Sequence, residues 1–156
     1  MTRPESEGSL VRAADVTEVS SLVAMYEWLF APPGSVPPAW DPGAAARRLA
    51  AAIAAVDSTI LVAEATDGGL AGICSCYLDI ESVRYGQRCW VEDLAVDPAR
   101  RSQGIGAGLM AAARAWASER GATHLELDSG KARIDAHRFY EREGPAWTGT
   151  QFAWLL

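Results

Sequence analysis

The sequence predicts an α/β fold of one domain, residues 1–156, built on a single mixed sheet flanked by helices. Three observations carry this expectation. Strand and helix signals alternate along the whole chain in the order β-α-α-β-β-β-α-β-α-β. No repeat, low-complexity tract or linker divides that series. Finally, 156 residues, 49% hydrophobic and 22% charged, suffice for one core that buries roughly two-thirds of the unfolded surface.

Leu10–Ala13 reads as a short extended start. Asp15 caps the first helix, with Glu18 at capping-box spacing, and Val16, Val19, Val23, Tyr26 and Phe30 follow one face. The segment PPGSVPPAWDP (32–42) cannot continue a helix and forms a loop. Asp41-Pro42 starts a second helix as N-cap and first helical residue, with Leu49, Ile53 and Val56 on one side. TILVAEA (59–65) and LAGICSCYLDI (70–80) are strands joined by a turn at Asp67-Gly68-Gly69, residues that tolerate positive φ. A polar loop, ESVRYGQ (81–87), leads to the strand RCWVEDLAV (88–96). A glycine run opens a helix reaching about Arg120, with Ile105, Leu109, Ala113 and Trp116 in register and Gly121 as its stop. THLELDS (123–129) is a strand, DAHRFYERE (135–143) a short helix, and TGTQFAWLL (148–156) a closing strand.

The formal net charge of −6 opposes a nucleic-acid partner and favours a neutral or cationic small one. No apolar run approaches the roughly 20 residues that span a bilayer, and the first residues lack the apolar core of a secretory signal. A cytoplasmic chain without membrane contact is expected. Cys74, Cys76 and Cys89 lie in strands without CxxC spacing, so they read as reduced, buried thiols, and no metal site is expected.

The informative stretch is DPARRSQGIGAGLMAAARAW (97–116). Gly104, Gly106 and Gly108 occupy the opening of a helix, where each costs about 1 kcal/mol relative to alanine. A helix start presents backbone N–H groups with no intrahelical partner and a positive partial charge. Glycines let a pyrophosphate approach them, Arg100 and Arg101 add charge, and no acidic residue occupies 104–110. A Walker-A loop is excluded because Gly-Lys-Ser/Thr is missing. The dinucleotide fingerprint GxGxxG meets Leu109 where glycine or alanine belongs, although Glu126 stands about 20 residues on, where a ribose-binding acid would. The pattern Arg/Gln-x-x-Gly-x-Gly/Ala matches Arg101-Ser102-Gln103-Gly104-Ile105-Gly106 at every fixed position.

With this hexad, the preceding VEDLAVDP and the following AHRFYEREG (136–144), most of the chain resembles the GNAT superfamily of N-acetyltransferases. The resemblance implies an acyl-CoA N-acyltransferase fold with a mostly antiparallel sheet, and acetyl-CoA as co-substrate. It implies that Arg101, Ser102, Gln103, Gly104, Ile105, Gly106 and Ala107 hold the pyrophosphate. Leu94, Ala95 and Val96 would bind the pantetheine arm through their backbone, beside a strand that splays at a bulge. Acetyl transfer needs a neutral amine, a polarised thioester and a proton for the thiolate. The resemblance points to Glu92 as general base acting through a water and to Tyr140 as the acid facing the coenzyme sulfur.

Successive strand residues point to opposite faces, so of Glu92 and Asp93 one is expected to face the cleft; Asp93 would bind a substrate cation or pair with Arg84 or Arg88. Phe139 is expected in the core. The sequence departs from the family at Arg133, where an asparagine often grips the coenzyme, and at Pro145-Ala146-Trp147, where an aromatic usually follows Gly144. Arg133 would reach a phosphate or solvent. The expected acceptor is a primary amine, on a small, cationic molecule or a peptide, met by Tyr26, Trp28, Phe30, Trp40, Tyr77, Asp79, Glu81, Tyr85 and Trp90. The competing reading is a catalytically weak coenzyme-binding sensor or regulatory module of the same fold. Family habit suggests a homodimer.

Overall fold

The computed structural model describes residues 9–156. It runs β1 (Leu10–Ala13), α1 (Val19–Phe30), α2 (Pro42–Ala54), β2 (Ser58–Glu64), β3 (Leu70–Ser82), β4 (Gly86–Val96), α3 (Ile105–Glu119), β5 (His124–Glu126) and α4 (Ile134–Arg142). The sheet order is β1-β2-β3-β4-β5, antiparallel from β1 to β4, with β5 parallel to β4. This is the mixed, mostly antiparallel sheet that the sequence predicts.

Alternation within β2 divides the core into two layers. Leu61 and Ala63 join Cys74, Cys76, Cys89 and Val91 under Ile105, Leu109, Ala113 and Ala117 of α3. Ile60 and Val62 join Ile73 and Ala95 under Leu22 and Met25 of α1 and Leu49 and Ala52 of α2. The three cysteines are free and buried, and Cys74 Sγ lies 3.7 Å from Cys76 Sγ. Close helix packing depends on Gly72 of β3, where a Cβ would stand 2.8 Å from Leu109 Cδ1, 3.0 Å from Ile105 Cγ2 and 3.3 Å from the Ala95 carbonyl. Gly72→Val is therefore expected to overpack this layer and cost about 1–3 kcal/mol, read as a lowered unfolding temperature. An unchanged melting curve would contradict the packing.

The local signals sit where the sequence places them. Asp15 and Glu18 form a reciprocal capping box on the short 3-10 turn that leads into α1. Asp41 caps α2 through the Gly43 and Ala44 N–H groups, with Pro42 first in the helix. Gly68 takes φ +84° in the β2–β3 turn, while Asp67 Oδ1 accepts from the Gly69 N–H.

Four expectations are corrected. The buried residues of α1 are Leu22 and Met25, with Val19, Val23 and Tyr26 flanking them, while Val16 is exposed. On α2, Ala45, Leu49 and Ala52 are buried, and Val56 lies exposed beyond the helix. The loop expected at 81–87 narrows to a turn at 83–85, because β3 and β4 pair out to Ser82↔Gly86. The expected closing strand at 148–156 does not form, and Phe152, Trp154, Leu155 and Leu156 are exposed. A strand exists only as a paired edge, and β5 offers three residues.

Candidate active site

The β3–β4 register holds the first feature of the site. Cys76 faces Val91 and Cys74 faces Leu94, so Glu92 and Asp93 together lie opposite Ser75. Such a bulge reverses the facing of the strand beyond it. Cys89 and Val91 pack under α3, whereas Ala95 packs under α1 and α2. Both carboxylates consequently emerge on the α1 side, which corrects the expectation that alternation separates them. Ser75, fully buried, stabilises the irregularity: its hydroxyl accepts from the Asp93 N–H at 3.0 Å.

The two acids have different surroundings. Glu92 is exposed, and its Oε2 accepts from the Trp90 indole N–H. Asp93 is half-buried, and its Oδ2 accepts from the Tyr26 hydroxyl at 2.7 Å and lies 3.4 Å from Ser75 Oγ. Burial pushes the Asp93 carboxyl above the usual aspartate range, with the Glu92 charge adding to the shift and the bonds from Tyr26 and Ser75 opposing it. Neither expected arginine pairs with it. Arg88 binds Asp79 at 2.6 Å and Glu126 at 3.1 Å and lies over the Trp90 ring; Arg84 lies over Tyr85.

A raised carboxyl destabilises the fold as it ionises. The folded state holds more protons than the unfolded one between the ordinary and raised pKa, so stability falls as pH rises through that window. Asp93→Asn, which can still accept from Tyr26, is expected to melt higher than wild type near pH 7. The gap should close toward about pH 4, where an unfolded aspartate protonates. A lower melting temperature at pH 7 would contradict this account.

Beyond the bulge, β4 loses one neighbour. Its ladder with β5 holds only Arg88↔His124, Cys89↔Leu125 and Trp90↔Glu126. Among the described residues, Leu94, Ala95 and Val96 pair with Cys74, Ile73 and Gly72 on one side and with no strand on the other. Their side chains pack into the two core layers, which leaves the outer backbone edge as the part that a ligand could meet.

Two side chains close in from the far wall. Tyr140 on α4 is half-buried, and its hydroxyl has no hydrogen-bond partner among the described residues. Burial, with Cys74 and Asp128 adding and Arg133 opposing, pushes its hydroxyl up to about 12. Phe139 turns inward over Gly106. Asp128, just past β5, is a site residue that the sequence reading missed; burial and the Glu92 charge push its carboxyl up, and Gln151 opposes this. Only its place at the end of an alternating strand could have marked it. Arg133 Nη2 donates to the Leu29 carbonyl at 2.8 Å, joining α4 to the C-terminal end of α1.

The unpaired edge leads to the start of α3. Gly104 is the N-cap with φ +79° and offers no side-chain cap, Ser102 also takes positive φ, and no acid lies in the first helical turn. The first intrahelical bond runs from the Gly108 N–H to the Gly104 carbonyl, leaving the N–H groups of Ile105, Gly106 and Ala107 without helical partners. Arg101, Ser102, Gln103 and Ala107 are exposed around them, while the Ile105 side chain is buried. Arg101 has no ion pair among the described residues, whereas Arg100 is held by Asp67 at 2.6 Å and Asp97 at 3.5 Å. The glycines have mixed causes. Gly104 needs its left-handed backbone, whereas a Cβ on Gly106 or Gly108 would make only ordinary contacts, with Phe139 at 3.4 Å and Val11 at 3.5 Å, so packing alone does not require glycine at either.

The expected acceptor residues separate into groups. Tyr26 stacks on Trp40 at 5.5 Å, and Phe30 meets Trp40 edge-on at 4.7 Å. With Val23, Ala24, Glu27 and Pro42 they line a pocket beside α1. Tyr77 and Trp90 flank the bulge carboxylates. Tyr85 instead stacks on Trp147, Asp79 is bound to Arg88, and Trp28 packs against the core.

Known proteins resemble this chain in sequence and in fold. Over 97 residues, 62% of this chain and 49% of the relative, the sequence is 38% identical to streptothricin acetyltransferase of Streptomyces lavendulae. It is 46% identical over 54 residues, 35% of each chain, to aminoalkylphosphonate N-acetyltransferase of Salmonella typhimurium. The chain thus spans about half or less of the length of these curated relatives. The fold matches that of aminoglycoside N-acetyltransferase AAC(6')-Iy in complex with CoA, with a TM-score of 0.81, 16% identity and 99% of both chains covered. The acetyltransferase (GNAT) family pattern matches residues 22–144, most of the chain, and the protein belongs to that family.

Proposed function

We propose that the protein is an acetyl-CoA-dependent N-acetyltransferase acting on a primary amine of a small, cationic acceptor. The observation that carries this reading is the open outer edge of β4, which leads from the Glu92–Asp93 bulge to the uncapped start of α3. The free N–H groups of residues 105–107, with Arg101 beside them, suit a diphosphate. The backbone of Leu94, Ala95 and Val96 suits the amide-bearing pantetheine arm, which would add to the sheet as an extra strand. A β4 N–H then polarises the thioester oxygen. The bulge supplies the base, by family position Glu92 acting through a water, and Tyr140 donates to the departing thiolate.

The acceptor's charge follows from the surroundings. Glu92, Asp93 and Asp128 have no ion-pair partner among the described residues, while neighbouring Arg88 is taken up by other acids. The Tyr26, Phe30 and Trp40 rings add faces that attract cations. The named substrates of the relatives, streptothricin and aminoalkylphosphonates, suggest where to begin a search. A panel of diamines, aminosugars, aminoalkylphosphonates and peptides, followed by release of free coenzyme thiol, tests the reading. Acetylated product from at least one amine is expected. Binding of CoA in calorimetry without transfer to any of them would favour a coenzyme-sensing module, and no CoA binding would remove both readings.

A further inference from the structure

We propose that Asp93, rather than Glu92, takes the proton from the incoming ammonium, and that Tyr26 of α1 is its positioning residue. This rests on the transferase reading above and changes the assignment of its base. The bulge brings both carboxylates to the same face, so their surroundings decide between them. Glu92 is exposed and held by the Trp90 indole. Asp93 is fixed at three points: its N–H donates to Ser75 Oγ, its Oδ2 accepts from Tyr26, and its backbone passes directly into the unpaired edge at Leu94. Oδ1 has no partner among the described residues and keeps its lone pairs for a ligand. One oxygen is anchored and the other is free, which is the arrangement a directional base needs.

The groups that bear on Asp93 are Glu92 on its own strand, Tyr26 on α1, and Ser75 and Tyr77 on β3, with Asp128 beyond Glu92. No cation is among them. Tyr26 keeps its proton, because burial and the Asp93 charge both push its hydroxyl up, and so it donates throughout the working range. Its ring also walls the pocket with Phe30 and Trp40, so one side chain bounds the acceptor and aims the base.

In the proposed step, Asp93 Oδ1 takes one proton from the ammonium and later yields it to solvent past Glu92. The neutral nitrogen forms its bond to the thioester carbon and the C–S bond breaks. The thiolate takes the Tyr140 proton, and the second proton lost by nitrogen restores Tyr140. Acetyl-CoA and the ammonium thus give the amide, free coenzyme thiol and one released proton.

The test compares Asp93→Asn, Glu92→Gln and Tyr26→Phe, using thiol release with 1,4-diaminobutane across pH and CoA affinity by calorimetry. Asp93→Asn is expected to lose at least about 100-fold in kcat/KM and to abolish the acidic limb of the profile, with CoA affinity kept. Glu92→Gln should cost less than Asp93→Asn and retain that limb. Tyr26→Phe removes a bond that favours the ionised carboxylate, so the limb should move to higher pH, a shift that simple loss of packing would not give. The inference is overturned if Asp93→Asn keeps the limb and Glu92→Gln removes it. Carboxyl-carbon NMR titration of wild type and Tyr26→Phe needs no acceptor. Asp93 titrating above the ordinary aspartate range, and higher again in Tyr26→Phe, supports the pair. An ordinary value overturns it. Failure to bind CoA or to acetylate any amine would refute the transferase reading separately, leaving the titration to decide on Tyr26 and Asp93.

Discussion

Ala107→Glu is expected to weaken CoA binding at least tenfold while leaving the unfolding temperature unchanged or slightly raised. Ala107 is exposed in the first turn of α3, where no acid is present. A carboxylate there complements the helix dipole and can bond the free N–H groups, worth about 0.3–1 kcal/mol to the fold. The same carboxylate occupies the donors proposed for the diphosphate and repels its charge. Unit charges 4 Å apart interact by about 1 kcal/mol in water and about 4 kcal/mol near a protein surface, against the 1.4 kcal/mol that a tenfold loss requires. The opposite signs make the variant informative, since general damage would lower both quantities. Gly106 is a poorer place for this test, because Phe139 lies 3.4 Å from where a Cβ would stand, so a side chain longer than a methyl meets the α3–α4 contact as well. Calorimetric titration with CoA and a melting curve decide the matter, and unchanged affinity would remove the phosphate site.

What was legible in the sequence was local. Asp15 with Glu18, Asp41 with Pro42, Asp67 with its two glycines, and Gly121 act over a few residues, and each ends or begins an element as expected. The hexad at 101–106 is also local, since a bare helix start needs only its own backbone. The bulge was not legible, because it comes from pairing Glu92 and Asp93 against Ser75, a residue on another strand. Period-two reasoning then separates two acids that the folded chain puts on the same side. In the sequence Tyr26 reads as an apolar position on α1 and an acceptor-facing ring, but the bond from its hydroxyl to Asp93, 67 positions along the chain, appears only in the fold. Asp128 gains its significance from the β4–β5 divergence, which no periodicity encodes. The absent closing strand errs in the other direction: residues 148–156 have the composition of a strand and no ladder to join.

Tyr140→Phe is expected to lower kcat about 100-fold or more, the lower range for loss of a positioned acid, with the KM for acetyl-CoA changed less than about threefold. The substitution removes one oxygen and leaves the ring against its neighbours, so the fold has no reason to move. With its hydroxyl held near 12, Tyr140 remains protonated across the working range and always has a proton to give. Its raised value disfavours a resting phenolate, whereas a nascent thiolate needs a proton or a donor only as the C–S bond opens. The loss should therefore appear in kcat rather than in binding, and should be largest with acceptors whose chemical step limits turnover. Arg133 constrains the interpretation further. It lowers the cost of charge on Tyr140 while gripping the Leu29 carbonyl, so the proton donor and the C-terminal end of α1 share one guanidinium. If Tyr140→Phe turns over like wild type, the thiolate leaves without this acid, and water or the β4 backbone must supply the proton or the stabilising hydrogen bonds.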